Sequence, residues 1–418
     1  MDICLVPSLQ HLSCSEIVIS LLNKLLPFID ISCLCYSDVS EADRYRRKYR
    51  DENYKLIRNQ VVKDIANLSP YAPIQKKLES FIAPLFGEIE AWINTCSHIW
   101  TANDDALFII MQNIPHCWLT EGVIDREKSA KSVIKNSNVH LTIRFIFACF
   151  YCVYEDVLYL WKQLSEREKT YLREEYLPKD FDFVVKQWIE WLESWLNKDW
   201  QYCVAWILGT PLWDMNAYVL RRVLLALTPL ERRHYVPKAL IGRRAHERES
   251  EAIRFCLSVL AREEREVVFR ESPDEVIKCM TSWPLRTNSL AIEDRLWSYL
   301  TADTFYDILC MLLGRIRQQK RDDSTQLLAF LKYFWEKSPN NFRRIAENRR
   351  SIFSKPLRLV LDHDLTEVFP IWKFLNCFGG FPTYSPTYWP KDLPIEDGDD
   401  LTRQHSNSQS SLQCCVIL

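Results

Sequence analysis

Residues 183–195 read FVVKQWIEWLESW, and in them Val184, Trp188, Trp191 and Trp195 step by four, three and four positions. At 3.6 residues per turn those side chains share one wide face of a helix. Charged Lys186, Glu190 and Glu193 take the other faces. The tryptophan row fits an interhelical core better than a cofactor or ligand box. Outward from it, Leu327, Leu328, Phe330, Leu331, Phe334 and Trp335 repeat the pattern until Ser338-Pro339 breaks it. Glycine is scarce, eight in 418 residues, about a quarter of the usual share. Tight hairpins, dinucleotide-binding turns and barrel loops all consume glycine for positive φ, so an extensive sheet is not expected.

Helix starts recur with similar chemistry. Thr228-Pro229-Leu230-Glu231 and Ser272-Pro273-Asp274-Glu275 read as capping boxes with proline at the first helical position, and Ser165 with Glu168 as a box without proline. Ser69-Pro70 and Ser338-Pro339 offer cap and proline without the glutamate. From Ser165 through Thr228, Ser272, Thr301 and Ser338 the gaps are unequal, yet most approximate one or two helical-hairpin units of about 30 to 40 residues. The expected fold is therefore all-α, an irregular array of helical hairpins of solenoid-like character, with no consensus repeat matched. The expected organisation is an N-terminal helical unit over 1–68, including a charged helix near 41–67, the array over 69–385, and a disordered tail over 386–418. No stretch reads as a secretory signal or a membrane span, since the apolar run 145–154 is short and flanked by Arg144 and Glu155-Asp156.

Fifteen cysteines, an odd number scattered through apolar segments, read as buried thiols of a reducing compartment. Cys149 and Cys152 form a C-x-x-C that lacks the second ligand pair of a zinc site, and Cys33, Cys35 and His116-Cys117 stand equally alone. No metal or cofactor is expected. Asp362-His363-Asp364 reads as a solvated loop rather than an oriented base, and His246-Glu247-Arg248-Glu249 lacks the second histidine of a zinc-protease helix. No residue is nominated as catalytic.

The formal charge is −2 overall. Residues 214–358 nevertheless carry 27 Lys and Arg against 19 Asp and Glu. The doublets Arg221-Arg222, Arg232-Arg233, Arg243-Arg244, Arg343-Arg344 and Arg349-Arg350 mark this region. Solvated faces paired with neighbouring glutamates explain them most simply. A basic surface leaning on anionic lipid, an acidic partner or nucleic acid is the functional alternative.

The chain ends Cys415-Val416-Ile417-Leu418, after the polar segment 391–413. This ending resembles the CaaX box of prenylated proteins, and the resemblance covers the tail alone. It implies attachment of a prenyl group at Cys415 by a prenyltransferase, with Leu418 favouring geranylgeranyl. It further implies loss of Val416, Ile417 and Leu418 and methylation of the new carboxyl. One lipid chain holds weakly, and proteins with such endings add a polybasic stretch or a palmitoylated cysteine. The tail here is acidic, so S-acylation of Cys414 is the expected second signal. Small GTPases share this ending, but none of the eight glycines forms a phosphate-gripping loop, which rejects that function.

The expectation is a non-catalytic interaction protein, cytoplasmic and peripheral on the cytosolic face of a membrane. It would be held by a prenyl anchor in membrane lipid and would bind a protein partner. A membrane-tethered enzyme with an unrecognised pocket is the alternative, and nucleic-acid binding through residues 214–358 ranks behind both.

Overall fold

In the computed structural model, an apolar stripe specifies each helix. The structure describes residues 7–28, 42–99, 110, 112–174, 182–194, 217–232, 249–285, 297–318, 325–349, 353–365, 367 and 369–378. They form an all-α protein, and the one element of β pairing among them is an antiparallel bridge between Trp118 and Ile124. Two compact units are present, Met1–Leu300 with Arg321–Phe330, and Thr301–Lys320 with Leu331–Leu418.

The first unit opens with α1 (Leu9–Leu25), α2 (Ala42–Leu68) and α3 (Ala72–Ile99). The hydroxyl of Ser8 caps α1 by accepting the His11 amide at 3.2 Å. Ile57, Val61 and Ile65 of α2 are buried at four-residue spacing, as are Leu78, Phe81, Ile82, Leu85, Phe86, Ile89, Trp92 and Ile93 of α3 at three and four. Each such side chain removed from water contributes about 1.5–3 kcal/mol. Both α1 and α2 pack on α3, so helices on either side of the Ser69-Pro70 break share one core.

Helix α4 (Arg126–Lys135) is capped by Asp125 and packs on α5 (Leu141–Phe150). Residues 145–150 of α5 are all buried, and a helix apolar all round has to be enclosed. It is enclosed by α3, α4, α6 (Tyr154–Gln163) and α8 (Asp182–Ser194). The Trp188 indole on α8 donates to the Cys149 carbonyl at 3.0 Å and stands perpendicular to Trp191 at 5.6 Å. The tryptophan row is thus interhelical core as far as Trp191, and Trp195 lies outside the described residues.

Before α7 (Glu166–Glu174), Ser165 and Glu168 form the expected reciprocal box, with Glu168 accepting the Ser165 amide at 2.8 Å. Thr228 and Glu231 do the same after α9 (Ala217–Ala226). Then follow α10 (Glu249–Val259), α11 (Arg262–Glu271) and α12 (Pro273–Met280), with α10 on α9 and α12 on α10 and α11.

Two expected caps are corrected. Ser272 precedes α12 with Pro273 at its first position but makes no side-chain cap. The same residue closes α11, its amide bonding the Val268 carbonyl at φ −143°, so one residue serves two helix ends. Ser338 turns its hydroxyl back to the Trp335 carbonyl at 2.6 Å and closes the helix before it.

The second unit contains α13 (Ala302–Gln318), the later part of α14 (Thr325–Lys337), α15 (Asn340–Asn348), α16 (Ser354–Asp362) and α17 (Ile371–Asn376). Its core is aromatic, with Phe305 of α13 stacked on Phe334 at 5.3 Å and against Phe342 at 5.5 Å. Among the described residues no helix is long and apolar enough to cross a membrane.

Candidate functional site

Cys414, Cys415, Val416, Ile417 and Leu418 lie outside the described residues, as do Arg233, Arg243, Arg244 and Arg350. The six described arginines of the doublets can be followed atom by atom.

Arg221 on α9 reaches Glu127 of α4 at 3.4 Å and lies over the Phe255 ring of α10 at 5.2 Å. Glu127 also accepts Lys131 at 2.7 Å. Burial pushes its carboxyl up, but the Lys131 hydrogen bond and the charges of Lys131, Arg221 and Arg222 outweigh burial and hold it below the ordinary range. Arg222 is exposed. Arg232 folds back so that its guanidinium donates to the Leu224 carbonyl at 3.4 Å and the Leu227 carbonyl at 3.3 Å. That satisfies the orphan acceptors at the end of α9.

In the second unit Arg343 bonds Asn340 one turn back, and Arg344 is exposed. Arg349 bonds the Asp303 carboxylate and lies 4.6 Å over the Tyr306 ring. Four of these six arginines therefore have partners within their own units, through a helix cap, ion pairs, ring contacts or a side-chain hydrogen bond.

The thiol and imidazole candidates take structural places. Cys152 has φ +54° and sits just past the end of α5, where glycine usually stands. The Val153 amide reaches the Ala148 carbonyl at 2.9 Å and the Cys152 amide the Cys149 carbonyl at 3.1 Å. Both thiols are buried and reduced. Burial, opposed by Arg222, pushes Cys152 up to about 12, and burial raises Cys149 well above the ordinary thiol range. Neither supplies thiolate near neutral pH. The buried Cys117 thiol is also raised by burial, with neighbouring Ser129 and Lys128 opposing the rise. His363 accepts Lys332 at its carbonyl, and its ring packs edge-on against Phe369 at 5.0 Å. Cys33, Cys35 and His246 fall outside the described residues. Among the described residues no group of three His, Cys, Asp or Glu side chains is arranged to hold a metal.

The last described helix shows what the sequence reading does not single out. On α17, Phe374 is buried against Phe369 at 5.4 Å and Phe378 at 5.2 Å. Trp372 is 61% exposed and Leu375 37% exposed, with the Lys373 ammonium 5.4 Å from the indole centre. Among the described residues Trp372 is the only exposed tryptophan. In sequence, Trp372 and Phe374 are alike as large apolar residues of one short run, so nothing local separates the outward ring from the buried one.

No family model matches this chain, and neither a curated protein nor a solved structure is significantly similar to it.

Proposed function

We propose that this protein is a non-catalytic helical interaction protein, geranylgeranylated at Cys415 and held peripherally on the cytosolic face of a membrane. The observation that carries the reading is the run Cys415-Val416-Ile417-Leu418 behind the polar segment 391–413. A prenyltransferase has to thread such a box into its site, and a polar segment with few apolar residues suits that. The thiols of Cys149 and Cys152, too weakly acidic to attack as thiolates, also favour a binding role over thiol chemistry at those positions.

On this reading lipid supplies the anchor and confines encounters with a protein partner to a surface. Confinement raises the effective concentration of even a weak binding face. Cys414 supplies the second signal by S-acylation, because the tail itself is acidic.

The test is the mass of the C-terminal peptide together with membrane fractionation, for wild type, Cys415→Ser and Cys414→Ser expressed in prenylating cells. Wild type is expected to carry a geranylgeranyl group, to lack residues 416–418 and to sediment with membranes. Cys415→Ser is expected to lose the lipid and the membrane fraction, whereas Cys414→Ser keeps the isoprenoid and resides more briefly. The reading requires Leu418 to be the last residue of the chain. A wild-type peptide with a bare Cys415 thiol, or one that continues past Leu418, overturns it.

A further inference from the structure

We infer that the face of α17 carrying Trp372 and Leu375 is a second membrane contact, inserting at the boundary between lipid headgroups and acyl chains. The inference rests on the proposed lipid anchor and gives the body of the protein a defined part in it. One isoprenoid chain binds a bilayer weakly, and a contact made by the body adds to it alongside the S-acyl group proposed at Cys414. Among the six described doublet arginines, Arg221, Arg232, Arg343 and Arg349 already have partners within their own units, which makes them the weaker candidates.

The geometry of α17 suits the interface instead. Phe374 and Phe378 pin the segment from beneath, Phe378 packing on Phe353 at 6.0 Å, while the indole of Trp372 faces outward. Trp372 and Leu375 stand three positions apart, neighbours on one helical face. An indole couples a broad apolar ring to one polar N–H and partitions to the headgroup level. Lys373, lying beside the ring, can bury its methylene stem and leave its ammonium in water.

The neighbouring charges choose between kinds of membrane contact. Exposed Asp362, Asp364 and Glu367 are balanced by exposed Lys355 and Arg358 of α16 and Lys373 of α17, so this stretch carries no excess of positive charge. Attraction to anionic lipid is therefore not the driving force. Apolar insertion is, and it should tolerate salt and zwitterionic lipid.

Chain length supports the bilayer as occupant of this face. The polypeptide from Phe378 to Cys415 spans at most about 130 Å even when fully extended. An anchored Cys415 thus holds α17 within that distance of the surface and makes insertion an intramolecular step.

The experiment is flotation with phosphatidylcholine vesicles at about 0.1 and 0.5 M salt, using processed full-length protein. Trp372→Ala is expected to bind about tenfold more weakly, and Trp372→Ala/Leu375→Ala more weakly still. Tyr159→Ala, which removes a comparably exposed ring in the first unit (58% exposed), is expected to match wild type. Unchanged thermal melts exclude misfolding as the cause. Equal flotation of Trp372→Ala and wild type overturns the inference, as does loss of wild-type binding at the higher salt. Wild-type self-association without vesicles that Trp372→Ala abolishes also overturns it, assigning the face to a second copy of the chain. The same comparison on a Cys415→Ser background, at high lipid, separates the two ideas. There, residual flotation lost with Trp372→Ala supports the insertion even if no isoprenoid is found on wild type, a result that would sink the anchor alone.

Discussion

The indole nitrogen of Trp283 donates to the carbonyl oxygen of Gly122 at 2.7 Å, joining positions 161 residues apart. Gly122 has φ +84°, and a Cβ placed on it would stand 2.8 Å from Leu85 Cδ2 and 2.9 Å from Trp283 Cζ2. His11 completes the cluster, its ring 4.8 Å from Trp283 and its Nε2 2.9 Å from the Glu121 carbonyl. A glycine is needed here both for the left-handed backbone and for the closeness of the indole. Gly122→Ala is expected to destabilise the first unit by about 2–4 kcal/mol, from backbone strain and overpacking together. Urea unfolding followed by circular dichroism measures it, and a loss below 0.5 kcal/mol would refute the account.

Removing the other half of the bond tests the bond itself. Trp283→Phe keeps a ring but leaves the buried Gly122 carbonyl without its donor, a loss expected to cost about 1–3 kcal/mol. Because the two residues share one contact, the double variant Gly122→Ala/Trp283→Phe should cost less than the sum. Strict additivity in the same urea titrations would show that the two sites are not coupled.

Gly87 presents the opposite case. It lies inside α3, and a Cβ there would meet nothing within 4 Å. Gly87→Ala is therefore expected to stabilise the protein by about 0.5–1 kcal/mol, mostly by restricting the unfolded chain. A rise in the urea midpoint with unchanged slope is the expected result, and a fall would mean that α3 uses the glycine in a way its surroundings do not reveal.

These cases mark how far the sequence could be read. Periodicity finds helices because burial of a stripe leaves its spacing in the chain, as Val184, Trp188 and Trp191 show by all being buried. Local caps are legible for the same reason, and the Ser165–Glu168 and Thr228–Glu231 boxes form as read. Ser272 fails because its fate depends on the helix before it as well as the one after, and a four-residue pattern sees only one of them. The Gly122–Trp283 contact leaves no local trace at all. Nor does the engagement of Arg232, which reads in sequence as half of a basic doublet and in space as the cap of α9. The outward turn of Trp372 is likewise decided by the seats of Phe374 and Phe378, not by anything in its own neighbours.

Acid should weaken the polar joints first. Glu127 is held below the ordinary carboxyl range by Lys131 and the arginines against the push of burial, and Glu168 is held down chiefly by its hydrogen bonds from Ser165. A depressed folded-state value means that the stabilisation is whole above the unfolded pKa, about 4.3. It is lost as the pH falls through the lower folded value. A Glu127→Gln, Arg221→Ala double-mutant cycle should give a coupling below about 1 kcal/mol at pH 7, since Arg221 is half exposed and screened by solvent. The coupling should shrink steadily as the pH falls below the unfolded carboxyl value, about 4.3, and a coupling that does not respond to acid at all would show that it is not ionic.

Thiol labelling separates the cysteines by burial. Cys149 and Cys152 are buried, their thiols raised far above neutrality, whereas Cys377 at the end of α17 is only partly covered. Iodoacetamide at pH 8 is therefore expected to modify Cys377 in the folded protein while sparing Cys149 and Cys152, which react only once urea unfolds the chain. The raised values also carry a sign for stability. Keeping these thiols neutral favours the fold fully below the unfolded thiol value, about 8.5. That advantage declines as the pH rises toward the folded value near 12 for Cys152. Peptide mapping of the alkylated protein across pH 7 to 10 reads both effects, and rapid labelling of Cys152 in the folded protein at pH 8 would contradict its enclosure behind α5.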